Sequence, residues 1–355
     1  MNRIRLMLAL SVAVLLASAC GGSHHSSHTT TTGAKQPAAA RAVKIDPVVA
    51  RLGLPPLHGH SPLPGYLMIA DRDNNRIIIV NPDKQIVWRF PQPGALAGGQ
   101  HFAGPDDAFI TPDGRYITTN EEFSDTVAIL SLAQHPRIVW QYGHQDVQGA
   151  GAGFLAHPDD AYMVAGGRQL MVADIINCRV LWLNHARRVV HAIGSAGDCT
   201  HDPPHALLQP NGDTPLPDGG VLVTEIGGWV DRFSASGKLL WSIKTPTTYP
   251  SDAQLLADGN VLVAGFNVPG RIDIITPRGH IVWTYGPTHG PGELNEPSLA
   301  VELPNGTIAA TDDWNHRVVL IDRASKRIVW QYGHDHVAGD APGFLRKPDG
   351  LDLVP

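Results

Sequence analysis

The chain has 355 residues, 43% hydrophobic and 17% charged, with 37 Gly and 29 Pro; this is enough apolar material for a large core and excludes collagen-like and globally disordered classes. A formal charge of −6 is a poor electrostatic footprint for binding polyphosphate, so no nucleic-acid partner is expected. Abundant turn residues without Lys/Glu-rich helical stretches predict an all-β fold of many short strands.

Arg3 and Arg5 precede an apolar run from Leu6 to Leu16 that is too short for a comfortable membrane span, and Ala17-Ser18-Ala19 then supplies the small residues a signal peptidase needs. Residues 1–19 therefore read as a signal peptide. The run ends in Cys20-Gly21-Gly22, which resembles a bacterial lipoprotein box, although Ala17 stands where that family prefers leucine. The resemblance implies acylation of Cys20 and anchoring at the outer face of a membrane through lipid alone. An ordinary secreted protein with an incidental Cys20 is the alternative. Residues 21–43 are small, polar and repetitive, unable to bury enough apolar surface to order themselves, so residues 20–64 are assigned to a tether and lead-in segment. Within it, His24, His25 and His28 form either a loose metal-binding tract or a solvated linker.

From residue 65 the chain repeats. Pro105-Asp106-Asp107, Pro158-Asp159-Asp160, Pro204-His205-Ala206, Pro250-Ser251-Asp252, Pro297-Ser298-Leu299 and Pro348-Asp349-Gly350 recur at spacings of 53, 46, 46, 47 and 51. They mark the same point in successive copies of one supersecondary unit. Trp88, Trp140, Trp241, Trp283 and Trp330 form a second column, with His191 in the Trp place of one unit. A large apolar side chain at one fixed place per unit is packing between neighbours. Trp229 and Trp314 fall outside that column and are candidates for an exposed rim. Each unit of about 48 residues carries four short strands, the size of one propeller blade. Residues Gly65 to Phe90 lack a proline-led first strand, and Pro348 to Val354 supply one with nothing after it. Each end holds what the other lacks, so residues 65–355 are predicted to form a six-bladed β-propeller whose last strand completes the first blade and leaves no open edge. The enlarged segment QPNGDTPLPDGG in one unit reads as a long first turn. Cys178 and Cys199, 21 residues apart, are a plausible disulfide in an oxidising compartment.

The segments YGHQDVQGAGAGFLAHPDDAYMVAGGRQLMVADIINCRVLWL and YGHDHVAGDAPGFLRKPDGLDLV resemble the NHL-repeat pattern. The Gly-x-x-x-Trp ending, as in Gly237 to Trp241, is similar to the tryptophan-docking blades of pyrroloquinoline-quinone-type propellers. The resemblance implies architecture far more than activity, because such folds host lyases, hydrolases, sensors and binding modules. It also implies that the prolines ring one channel mouth. A bound quinone would call for eight blades with dedicated ligands. The zinc histidines of the related amidating lyases do not transfer either, because their motif spacing is absent.

Candidate ligand residues at that mouth are Asp106, Asp107, His157, Asp159, Asp160, His205, Asp252 and Asp349. Strand alternation is expected to turn only one of the two residues after each proline toward the channel. His101 and His201 on the loops, and Asp73, Glu121, Glu122 and Asp313 on the turns between second and third strands, would add to the rim. Oxygen ligands converging on an axis suit Ca²⁺; a set such as Asp159, His205 and Asp349 suits Zn²⁺. The competing reading of each Asp after Pro is an inert cap of a tight turn. His-Glu-x-x-His, Gly-x-Ser-x-Gly and phosphate-cradling loops are missing from the sequence. The expected function is an extracytoplasmic binding or sensing module for a small molecule or protein partner, with a Ca- or Zn-dependent lyase or hydrolase as the alternative.

Overall fold

A computed structural model describes residues 46–57 and 59–354. The signal peptide, Cys20, the tether to residue 45 and His24, His25 and His28 lie outside the described residues.

Strands of three to seven residues, the middle ones near-continuous runs buried on both faces, form six four-stranded antiparallel sheets, one per predicted blade. Blade 1 consists of residues 66–90 with 348–354, and blades 2 to 6 span 105–143, 158–194, 210–244, 250–285 and 300–333. Pro348–Val354 pairs antiparallel with Tyr66–Asp71, Tyr66 lying opposite Val354 and Asp71 opposite Pro348. The ring is thereby closed as expected, and the sheet that would otherwise end in an unpaired edge is complete.

The core is not one body but six. A separate buried apolar cluster fills each blade-to-blade interface; Met171, Val180, Val223 and Phe233, for example, join blades 3 and 4. The tryptophan column locks these interfaces from outside. The indole nitrogens of Trp88, Trp140, Trp283 and Trp330 donate to the carbonyls of Ala133, His185, Arg323 and Pro82, each in the next blade, at 2.7, 3.1, 2.9 and 3.2 Å. His191 takes the Trp place in blade 3 and packs beside Trp182, ring centroids 4.7 Å apart.

Ordered packing starts before residue 65. Asp46 caps a short helix, Pro47–Leu52, by accepting from the Val48 nitrogen at 2.7 Å. Val48, Leu52 and Leu54 enter the cluster between blades 1 and 2, and Leu63 enters the one between blades 6 and 1. Among the described residues no helix is long and apolar enough to cross a membrane.

Blade 4 requires a correction. Its first strand is Pro210–Pro215, so Pro210, not Pro204, is the repeat marker, and PNGDTP is strand rather than turn. Residues 195–209 fold back on themselves instead, with bridges Ser195–Asp198 and Asp202–Ala206 and the Ser195 hydroxyl donating to the His205 carbonyl at 3.0 Å. Cys178 and Cys199 are bonded, Cα atoms 5.2 Å apart, which ties this loop to blade 3.

Candidate cation site at the channel mouth

The inner strands bring the residues after each proline together in an unexpected way. In blade 2, Pro105 pairs with Glu121 but Ala108 pairs with Thr119, so Asp106 and Asp107 together oppose the single residue Asn120. The same one-residue shift occurs after Pro158, Pro210, Pro250 and Pro348. A β-bulge at this point suspends strict alternation, which is why the expectation that only one ring faces inward fails. Oxygens of Asp106, Asp107 and Asp349 lie within 4.8 Å of one another, and so do those of Asp107, Asp159 and Asp160. Asp107 therefore belongs to both groups.

Asp252, Asp213 and Asp313 are buried against the same cluster, and Glu122 stands at its rim. The Asp213 amide donates to Asp160 Oδ2 at 3.1 Å, Thr214 Oγ1 to Asp252 Oδ1 at 2.9 Å, and Ser298 Oγ to Asp313 Oδ2 at 2.5 Å. Against these nine carboxylates stands one guanidinium. Arg72, in the turn after the strand Tyr66–Asp71, donates through Nη1 to Asp106 at 2.9 Å and to Asp349 at 2.6 Å, with Glu122 at 3.7 Å. Among the described residues it is the only Arg or Lys within ion-pair distance of them. Nothing in the sequence marks Arg72, which occupies a variable place inside the Asp71-x-x-Asn74-x-Arg76 pattern.

Burial governs the protonation of this cluster. Desolvation first, and neighbouring carboxylates second, hold Asp107, Asp159, Asp160, Asp213 and Asp349 well above the ordinary carboxylate range. Desolvation, partly offset by Arg72, pushes Asp313 up to about 7. Both oxygens of Asp213 and Oδ1 of Asp313 lack a hydrogen-bond partner. Such a set stays ionised only with a counter-charge supplied. Beneath it, Phe109 stacks on Tyr162 with centroids 3.8 Å apart and floors the site. The wide clefts lie elsewhere: one of about 650 Å³ is lined by Tyr116, Trp140 and His185, and another of about 740 Å³ by Trp182 and His191. The carboxylates of the mouth are themselves buried, which suits an ion better than a large molecule.

The predicted histidines do not join the axis. His205 lies on the folded-back loop with its side chain 80% exposed, and Asn211 takes its ring place, so Asp159, His205 and Asp349 do not form one ligand set. His157 stands 3.6 Å from Glu122, and the hydrogen bond to Glu122 raises its pKa. His101 meets Ser124 at 3.1 Å, and His201 belongs to a separate cluster in blade 4. Asp73 pairs with Lys347 at 3.4 Å on the rim. Trp314 is exposed there, as expected, under the Lys347 ammonium at 3.8 Å, whereas Trp229 is half-buried at the start of a strand. Phe123, Ile176 and Val268 are exposed on the corresponding turns of blades 2, 3 and 5.

The Asp-x-x-Asn-x-Arg pattern has a scaffold role. Asp71, Asp174 and Asp312 each accept from the loop amide before their blade's first strand, at 2.8, 2.8 and 2.7 Å. Arg76, Arg179 and Arg317 pair with them at 2.6, 2.8 and 2.6 Å. Glu121 holds the same place in blade 2, with Thr126 and Gln141 as neutral donors.

Among solved structures, a protein of unknown function from Bacteroides caccae is 19% identical over 81% of this chain and 98% of that chain, with a TM-score of 0.56. A putative 6-phosphogluconolactonase from Bacteroides fragilis is 14% identical over 79% of this chain and 80% of its own, TM-score 0.49. Virginiamycin B lyase from Staphylococcus aureus is 15% identical over 64% and 69%, TM-score 0.43. At these identities the likenesses are of fold alone, and of the three only the first is close enough in shape to carry even that. No curated protein sequence matches the chain. Residues 126–330, more than half of the chain, match the family model described as outer membrane protein assembly factor BamB, and the chain belongs to that family.

Proposed function

We propose that this protein is an extracytoplasmic, lipid-anchored binding module whose channel mouth takes a cation, with a hard divalent ion such as Ca²⁺ as the group its oxygen ligands suit. The observation that carries the reading is the charge imbalance: nine clustered, mostly buried carboxylates face one guanidinium. Ca²⁺ accepts six to eight oxygens at roughly 2.3–2.6 Å, so its ligand oxygens lie within about 5 Å of one another. Both three-carboxylate groups meet that limit. The exposed Phe123, Ile176, Val268 and Trp314 around the opening support a partner that seats apolar surface on the rim and a basic group over the axis. The leader sequence and the Cys178–Cys199 bond support the compartment. The family's description as an assembly factor is in keeping with binding rather than turnover.

Calcium titration of chelator-treated protein, followed by calorimetry and by thermal unfolding, tests this. Free calcium at a hundred times its Kd is expected to stabilise the fold by about 2.7 kcal/mol. The double variant Asp107→Asn with Asp160→Asn should lose that response. Neither heat nor a shifted midpoint with calcium, or an unchanged response in the double variant, would sink the proposal. Labelling with a radioactive fatty acid, lost in Cys20→Ser, tests the anchor.

A further inference from the structure

Blade 4 departs from the carboxylate–arginine pairing of blades 1, 3 and 6; blade 2 departs from it too, but sets the neutral donor Thr126 opposite Glu121. The carboxylate ending the second strand is paired across the sheet with an arginine in blades 1, 3 and 6: Asp71 with Arg76, Asp174 with Arg179, Asp312 with Arg317. In blade 5 that place is Gly265, opposite Arg271, and the guanidinium turns to Asp273, two residues on, at 2.7 Å. Blade 4 has both carboxylates and no arginine. Glu225 ends its second strand, Asp231 occupies the place of Asp273, and Trp229 stands where the arginine belongs.

What fills the gap is His201, from the loop that Cys199 fastens to blade 3. Its Nδ1 lies 3.0 Å from Glu225 Oε2 and 3.9 Å from Asp231 Oδ2. The ring stacks on Trp229, centroids 4.0 Å apart and planes 10° from parallel, and Nε2 meets Ser242 Oγ at 3.3 Å. Glu225 and Asp231 are fully buried. Leu208 donates its amide to Glu225 Oε2 at 2.6 Å, but Glu225 Oε1 and both oxygens of Asp231 have no hydrogen-bond partner. Lys244 is the nearby cation, and its ammonium is turned to the Trp229 face at 4.6 Å and to the Gly227 carbonyl.

We propose that His201, Glu225 and Asp231 form a second metal site, separate from the axis, for a zinc-type divalent ion. A tetrahedral ion 2.0–2.2 Å from each ligand separates its ligands by roughly 3.3–3.6 Å, and the two observed separations bracket that range. Two carboxylates neutralise the ion's charge. Ser242 on the far ring nitrogen and the Trp229 stack orient the imidazole, as outer partners of ligating histidines do. The His201 side chain is 19% exposed, so the cluster is reached from solvent on the imidazole side.

Chelator-treated full-length protein, titrated with Co²⁺ and Zn²⁺, tests the site, with His24, His25 and His28 replaced by alanine in a parallel preparation to remove their background. The expected result is one zinc per chain in that preparation, a tetrahedral Co²⁺ visible spectrum, and a Kd weakened at least tenfold in His201→Ala and in Asp231→Asn. Asp231→Asn should also raise the unfolding midpoint of the metal-free protein while abolishing the upward shift that zinc gives the parent, which separates loss of ligation from loss of fold. Asp107→Asn with Asp160→Asn should leave the cobalt spectrum intact, so failure at the axis and failure here are distinguishable. A cobalt spectrum that survives both His201→Ala and Asp231→Asn, or a metal-free parent with no zinc-dependent shift, overturns the assignment.

Discussion

Arg72 is held where a long charged side chain is rarely found, 13% exposed and bonded to two carboxylates from different blades. Asp106 and Asp349 are drawn together by that one guanidinium, so replacing Arg72 with methionine keeps the stem's volume and leaves two buried carboxyl groups facing each other without their counter-charge. Breaking a buried pair by removing one partner costs about 3–5 kcal/mol. Arg72→Met is therefore expected to lower stability by that amount in urea unfolding of chelated protein, and added calcium should recover part of the loss. An Arg72→Met protein as stable as the parent without calcium would show that the carboxylates need no counter-charge. The sequence displayed Asp106, Asp107, Asp159, Asp160, Asp252 and Asp349 because proline punctuates each of them, but not Arg72, whose reach is set by the turn. It misplaced His205 for a definable reason. In five of the six blades the marker carries a buried apolar residue three places before the proline: Phe102, Leu155, Leu207, Leu294 and Leu345 precede Pro105, Pro158, Pro210, Pro297 and Pro348, whereas Pro250 of blade 5 has the buried Thr247 there. Pro204 has His201 there, so an apolar test at that position would have chosen Pro210.

At the scale of the strand, the bulge turns a repeat into a site. Regular alternation was the sound inference from sequence, since nothing in Pro-Asp-Asp announces an extra residue in the ladder. Blade 1 carries Gly350 as the second bulge residue, and a Cβ there would sit 2.6 Å from the Asp107 Cα of blade 2. The first strands of neighbouring blades thus approach closely enough at the mouth to exclude a methyl group. Gly350→Ala is expected to cost about 1–3 kcal/mol through overpacking and to weaken calcium binding by moving Asp107. Comparing it with a substitution distant from the axis, Arg179→Met, separates the two effects. Arg179→Met should destabilise, because Asp174 loses its partner, yet leave calcium affinity unchanged. A loss of affinity in both would mean that the mouth only reports global stability.

Across the whole ring, the acidic groups set how stability varies with pH. Burial, the largest cause in each case, raises Asp352 to about 6, Glu121 and Asp313 to about 7, and Asp231 to about 8. A group whose folded pKa lies above its unfolded value binds more protons in the folded state. Its stabilisation is complete below the unfolded pKa and is lost as pH rises through the folded one. His157, raised by its Glu122 hydrogen bond, acts in the same direction, whereas His201 and His316, lowered by burial, oppose it. The exposed Asp218, Asp258 and Asp322 are lowered by local hydrogen bonds and lose their contribution only as pH falls through their folded values. Metal-free protein should therefore be most stable in mildly acid solution and lose stability steadily as pH rises through about 6 to 8. Bound cations replace the protons, so calcium and zinc together should flatten that decline. Urea midpoints measured across the range, with and without metal, check the slope. A chelated protein equally stable at both ends of the window would mean that the buried carboxylates titrate as they do in the unfolded chain, and the charge imbalance at the mouth would no longer require a ligand.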